Sequence, residues 1–160
     1  MFEIGEVVSY NQYICKIKSI KKNNNDKYYV MNPVDDETLV IEIPIENKNG
    51  SIKKIMTYNE AIKLIENINN IEVINSSDKY VEQQYKDLLK TRNKENIVKV
   101  IKTAYLRNKE REEKNKKISE KDMLYLEKAE KLLYNELSFS LKKSYDETKQ
   151  FIYDYCSKNE

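Results

Sequence analysis

Hydrophobic and polar positions change rhythm near residue 57. Before it, short apolar runs alternate with polar breaks, as in half-buried strands. Glu6–Tyr10 carries valines at 7 and 8, and Tyr13–Ile20 sets apolar residues around Lys16 and Lys18. The asparagine-rich KKNNND suits a hairpin loop, because Asn tolerates left-handed backbone angles. Lys27–Met31 and Thr38–Ile43 are rich in β-branched and aromatic residues, which strands favour. Pro44 lacks an amide hydrogen and is expected to end the pairing of the run before it. Four or five short strands in this space predict a small, strongly bent antiparallel sheet or a barrel.

After residue 57 the spacing becomes helical. Thr57 and Glu60 form a capping-box pattern ahead of Ala61, Leu64, Ile65 and Ile68. Asn67–Ser77 is polar and irregular and reads as a linker. A helix is predicted from Ser77 or Asp78 through Tyr85, Leu88 and Leu89. Another spans about 96–112, with Ile97, Val100, Ile101, Ala104 and Tyr105 inward. EKNKK is a basic loop. The clearest signal follows it: Ser119 and Asp122 form a capping box, then Leu126, Ala129, Leu133 and Leu137 mark one face of a long helix. A last helix over roughly 145–157 carries Phe151, Ile152 and Tyr155. The expected fold class is therefore α+β: a β-rich module over 1–57, a connecting helix and linker over 58–76, and an all-α bundle over 77–160.

Composition narrows the chemistry. The charged fraction is 35% and the hydrophobic fraction 39%, which points to a modest core under an ionic surface. No apolar run approaches the ~20 residues that cross a bilayer. The start MFEIGEVV lacks the basic-then-apolar order of a signal peptide, so a cytoplasmic location is expected. Cys15 and Cys156 lie far apart and fit no metal spacing, in keeping with a reduced compartment. With no histidine and only Gly5 and Gly50, the chain lacks the commonest general base and any glycine-rich phosphate loop. A non-enzyme without a cofactor is expected.

The net charge of +2 conceals an uneven distribution. Residues 1–57 hold eight basic and eight acidic side chains, and residues 118–160 hold seven and nine. Residues 79–117 hold thirteen basic and six acidic ones, which suits an anionic partner.

Five segments together resemble the CarD/CdnL family of bacterial RNA polymerase-binding regulators. FEIGEVVSY resembles that family's opening strand, and VIEIPIEN its last strand with a P-x-E-N close. Ser51–Ile55 is similar to its Gly-Leu-Arg segment. Tyr105, Leu106, Arg107 and Arg111 match the end of the helix before its basic loop. ISEKDMLYLEKAEKLLYNEL follows its L-S-x-x-E…A…L…E-L helix. The resemblance covers about residues 1–143. It implies a Tudor-like N-terminal module, shared with transcription-repair coupling factor, that binds the RNA polymerase β subunit. It also implies a helical domain that meets promoter DNA at the upstream edge of the bubble and stabilises the open complex without reading an operator. The protein would be monomeric, away from membranes, and held at the nucleoid through the polymerase. A plain protein–protein adaptor is the alternative.

On this reading the polymerase would add a strand to a sheet edge flanked by Tyr10, Tyr13, Lys16 and Lys18, with Val40 and Glu42 near it. The DNA-facing candidates are Lys79, Lys86, Lys90, Arg92 and Lys94 around the first C-terminal helix, with Lys121 and Lys128 on the long one. The family's minor-groove tryptophan has no counterpart here. Tyr80 is the nearest aromatic and is expected to stack on an exposed base in its place.

Overall fold

The computed structural model describes residues 1–159, which divide into two compact units, Met1–Met56 and the residues from Thr57 on. The first unit is a five-stranded antiparallel sheet: β1 (Val7–Tyr10), β2 (Tyr13–Asn23), β3 (Asp26–Pro33), β4 (Ile41–Pro44) and β5 (Ile52–Lys54). The strand order is β4-β3-β2-β1-β5. β4 and β5 are therefore its two ends, and the sheet is open rather than closed into a barrel. Asn11 and Asn24 take positive φ in the β1–β2 and β2–β3 turns, as their type allows.

The register puts Val8 opposite Cys15 and Ile17 opposite Met31, so one face is apolar. Val8, Cys15, Ile17, Tyr29, Met31 and Ile52 form the core of this unit. Tyr29 is fully buried, and its hydroxyl accepts the Phe2 amide at 2.9 Å. A bulge between Ile17 and Ser19 shifts the β2–β3 register and carries β2 beyond the end of β1.

Two strand expectations change. The run Thr38–Ile43 becomes strand only from Ile41. The Asp36 carboxylate accepts the Thr38 amide at 3.1 Å, and the Asn32 amide group donates to the Leu39 carbonyl at 2.7 Å, so local side chains hold 36–39 as a turn. Pro44 closes β4 as its last residue, opposite Tyr28, but β4 is not the last strand, because a fifth follows.

The second unit holds α1 (Tyr58–Asn67), a 3₁₀ turn (Ile68–Asn70), α2 (Val81–Lys90), α3 (Lys94–Glu113), α4 (Glu120–Leu141) and α5 (Tyr145–Lys158). On α4, Leu126, Ala129, Leu133 and Leu137 are all buried, as their spacing requires. On α3, Ile97, Val100 and Ala104 are buried with Val98, but Tyr105 is exposed.

The segment Asn67–Ser77 is not a loose linker. Ile68 and Ile71 are buried, the Lys102 ammonium donates to both of their carbonyls, and the Thr103 hydroxyl accepts the Ile74 amide at 2.9 Å. These bonds satisfy backbone groups that a coil would leave to water. Helix α2 starts later than the sequence suggests, at Val81, with no side-chain cap from Tyr80. Among the described residues, no helix is long and apolar enough to cross a membrane.

Candidate functional site

In the first unit, uncovered strand backbone lies on the outer sides of the two end strands, β4 and β5, and two of the candidates lie by β4. Its inner side pairs with β3 from Tyr28↔Pro44 to Met31↔Ile41, and no described strand pairs with its outer side. Ile41 and Ile43 turn toward the core, while Glu42 alternates outward and pairs with Lys21 at 3.2 Å. Val40, just before β4, is 56% exposed. Val40 and Glu42 thus lie at one of the two edges.

Three of the other four candidates, Tyr10, Tyr13 and Lys16, do not. β1 is covered by β2 on one side and β5 on the other, and β2 is covered by β3 and β1. Tyr10 and Tyr13 face each other across the β1–β2 hairpin and pack on the core, as amphipathic tyrosines do. Lys16 is exposed on an interior strand opposite Val7. Lys18 is exposed at the bulge, where β2 has run past β1. The misplaced edge has a simple cause: three residues, Ile52–Lys54, return and cover β1.

In the second unit, the structure sorts the DNA-facing candidates into three groups along α2, a helix of ten residues, or about 15 Å. Lys79 and Tyr80 lie in the turn before it. Tyr80 is 58% exposed rather than packed between helices, and the Lys79 ammonium sits 5.4 Å from its ring centroid. A cation over an aromatic face is a stable arrangement even at the surface.

The second group is Lys86, Lys121 and Lys128. Lys121 pairs with Glu82 at 2.9 Å and Lys86 with the same carboxylate at 3.5 Å. The Tyr125 hydroxyl also donates to Glu82, at 3.3 Å, and Lys128 stands 5.3 Å from the Tyr125 ring. The Lys121 hydrogen bond holds the Glu82 carboxyl below its ordinary range, with Lys86 adding to the effect. Two of the three lysines are thereby partly neutralised.

The third group is Lys90, Arg92 and Lys94 at the α2–α3 junction. Lys90 is exposed, and Arg92 takes a positive φ of 58° in the tight turn. Lys94 does not face solvent as a free cation. Its ammonium donates to Glu136 of α4, whose side chain is only 1% exposed. A buried carboxylate requires such a partner, so Lys94 serves the core and is removed from the candidate contacts.

Sequence reasoning missed a buried polar cluster. The Asp122 carboxylate accepts from the Tyr85 hydroxyl at 2.8 Å, from Arg107 Nε at 3.2 Å and from Arg111 Nη1 at 2.6 Å. Both arginines also pair with Asp78, before α2. Asn108 donates to the Ser119 carbonyl at 3.2 Å and accepts the Ser119 amide at 2.8 Å. The capping box at Ser119 is therefore half made. Its hydroxyl accepts the Asp122 amide at 3.2 Å, but Asp122 turns to the arginines and Asn108 takes the cap amide. A full box does form at Ser144 and Glu147, ahead of α5. The one available signal was an acid at the start of a long apolar helix with two arginines four residues apart on the preceding one.

No group of cysteines and acids able to hold a metal occurs among the described residues. No protein-family model matches the chain, and no characterised protein matches its sequence.

Proposed function

We propose that this chain is a non-enzymatic regulator of transcription initiation of the CarD/CdnL type. Its sheet, Tudor-like but open, binds the RNA polymerase β subunit, and its helical bundle leans on promoter DNA at the upstream bubble edge. The observation that carries the proposal is the exposed Lys79–Tyr80 pair before α2. It offers an exposed flat ring and an adjacent cation, in the region where the family places its wedge. Stacking a base on such a ring is worth about 1–3 kcal/mol, and the ammonium adds a phosphate or cation–π contact. The uncovered edge of β4, with Val40 and Glu42 beside it, suits a polymerase strand that completes the sheet. The residues we assign to DNA are Lys79, Tyr80, Lys90, Arg92 and Lys128, with Lys86 and Lys121 contributing less because they share Glu82. Once polymerase tethers the chain, even a weak DNA contact acts at high local concentration.

The test is co-purification of the polymerase core with the full-length chain, followed by open-complex lifetimes on a fork-junction promoter. Tyr80→Ala with Lys79→Gln is expected to shorten the lifetime roughly tenfold while leaving polymerase capture intact. Failure of the core to co-purify would sink the proposal at its first step.

A second reading, a protein–protein adaptor without DNA contact, is favoured by one specific feature. Lys86, Lys121 and Lys94 all turn onto carboxylates of their own unit. Unchanged retention of fork-junction DNA on polymerase after neutralising Lys79, Lys86, Lys90 and Lys121 together would establish that reading instead.

A further inference from the structure

Helices α3, α4 and α5 do not close completely on one another. Between them lies a groove of about 390 Å³, which Ile68 of the 3₁₀ turn also lines. Ile101, Leu106, Leu133 and Ile152 give it apolar walls. Tyr105 and Tyr153 stand on its rim with ring centroids 6.5 Å apart, and both are exposed, as is Leu106. This volume lies within the range of small-molecule sites.

Two polar groups in the lining have unspent capacity. Lys102 is half-buried, and its ammonium donates to the carbonyls of Ile68 at 2.8 Å and Ile71 at 2.6 Å. An ammonium has three donors, so one remains. The two carbonyls are neutral, and no carboxylate pairs with Lys102 among the described residues. Neighbouring Lys149, by contrast, has its charge matched by Glu130 at 3.2 Å. The second group is Tyr134, only 2% exposed, whose hydroxyl makes no hydrogen bond among the described residues. The Tyr134 hydroxyl is not sealed away from the groove, and the third donor of the Lys102 ammonium offers an incoming anion a charge-assisted hydrogen bond.

We infer that this groove is a binding site for a small organic acid, with an apolar body between α3, α4 and α5 and its carboxylate on Lys102 and Tyr134. At roughly 30 Å³ per non-hydrogen atom, about the share of a liquid water, the groove takes on the order of a dozen such atoms. A medium-chain fatty acid has that size. The apolar walls take the chain, and the Lys102 ammonium supplies the charge that selects the acid over an alcohol of equal length. The site is independent of the transcriptional reading, since none of the residues assigned there lines it.

The test is calorimetric titration of the full chain with decanoate, held below its micelle concentration. One-site saturable binding in the range of tens of micromolar is expected for a ligand of this size. 1-Decanol should bind at least about tenfold more weakly, for want of the charge-assisted bond. Lys102→Met should weaken decanoate by roughly tenfold and Tyr134→Phe by about threefold to fivefold. If Lys102→Met fails to fold, because it also loosens the 68–71 segment, Tyr134→Phe and Leu106→Trp decide. Leu106→Trp fills the groove from its exposed rim and should abolish binding. Equal affinity for decanoate and decanol, unsaturable uptake, or full binding by Leu106→Trp would each overturn the site. Tighter binding of a peptide ending in a free Leu-Phe carboxylate would overturn the small-acid assignment in favour of a chain terminus.

Discussion

Tyr85 on α2 donates its hydroxyl hydrogen to Asp122 on α4 across 2.8 Å, although 37 residues separate them in sequence. Tyr85 is wholly buried and Asp122 is 1% exposed, so this bond fastens two helices inside the unit. Burial, with the Asp122 carboxylate adding to it, pushes the Tyr85 phenol well above its ordinary value, which keeps it a donor at every physiological pH. Arg107 and Arg111 bring α3 to the same carboxylate.

Asp122→Ala should therefore be among the costliest single changes. It leaves two arginines and a phenol without their shared acceptor, at a cost of about 3–5 kcal/mol. Tyr85→Phe removes one hydrogen bond from a carboxylate that keeps its arginines, at about 1–2 kcal/mol. Urea unfolding of both variants checks the ranking, and equal costs would mean that the arginines contribute little.

Two glutamates should bend the pH dependence of stability in opposite directions. Glu82 is held below its ordinary value of 4.5 by the Lys121 hydrogen bond, so its contribution is present above 4.5 and is lost as pH falls through the lowered value. Glu130 is raised by burial, with Lys149 only partly opposing it, so its contribution is present below 4.5 and is lost as pH rises through the raised value. Relative to the parent chain, Glu82→Gln should flatten the acid limb. Glu130→Gln should gain stability as pH climbs from the acid limb toward neutrality. Unfolding curves across that range, read with and without salt, test both signs.

How much of this was legible in advance follows from what is local. The Leu126–Leu137 stripe of α4 and the start of α1 after Thr57 rest on neighbours a turn apart, so the sequence displays them. The sheet edge does not, because it depends on which strand returns to cover β1, and that strand is short and ends in two lysines. The roles of the lysines are equally non-local. Lys94 meets Glu136 across 42 residues, and nothing around Lys94 distinguishes it from Lys90. A positive patch counted along the chain therefore overstates the charge that solvent meets.

Lys142 ends α4 with φ 54° and ψ 46°, a left-handed conformation that strains a side chain with a Cβ. Relief of that strain is worth about 1–2 kcal/mol, offset by about 0.5–1 kcal/mol of extra chain entropy. Lys142→Gly should thus stabilise the chain by about 0.5 kcal/mol, visible as a small rise in the urea midpoint with an unchanged slope.

The two thiols should differ sharply in reactivity. Cys15 is fully buried, and burial, helped by the Asp35 charge, pushes its pKa up to about 11. Cys156 is only half-buried. Iodoacetamide at pH 8 should modify Cys156 first and reach Cys15 only on unfolding. Mass spectrometry after timed quenching reads this directly, and early labelling of Cys15 would mean that the sheet opens readily.

Past the bulge, β2 and β3 continue together to Asn23 and Asp26 and reverse through Asn24, where every side chain from Lys21 to Lys27 is exposed. This finger makes the chain easy to instrument. A fluorophore or short epitope grafted at its tip would ride clear of the apolar face and of the β4 margin, and so report on capture by a large partner without disturbing it.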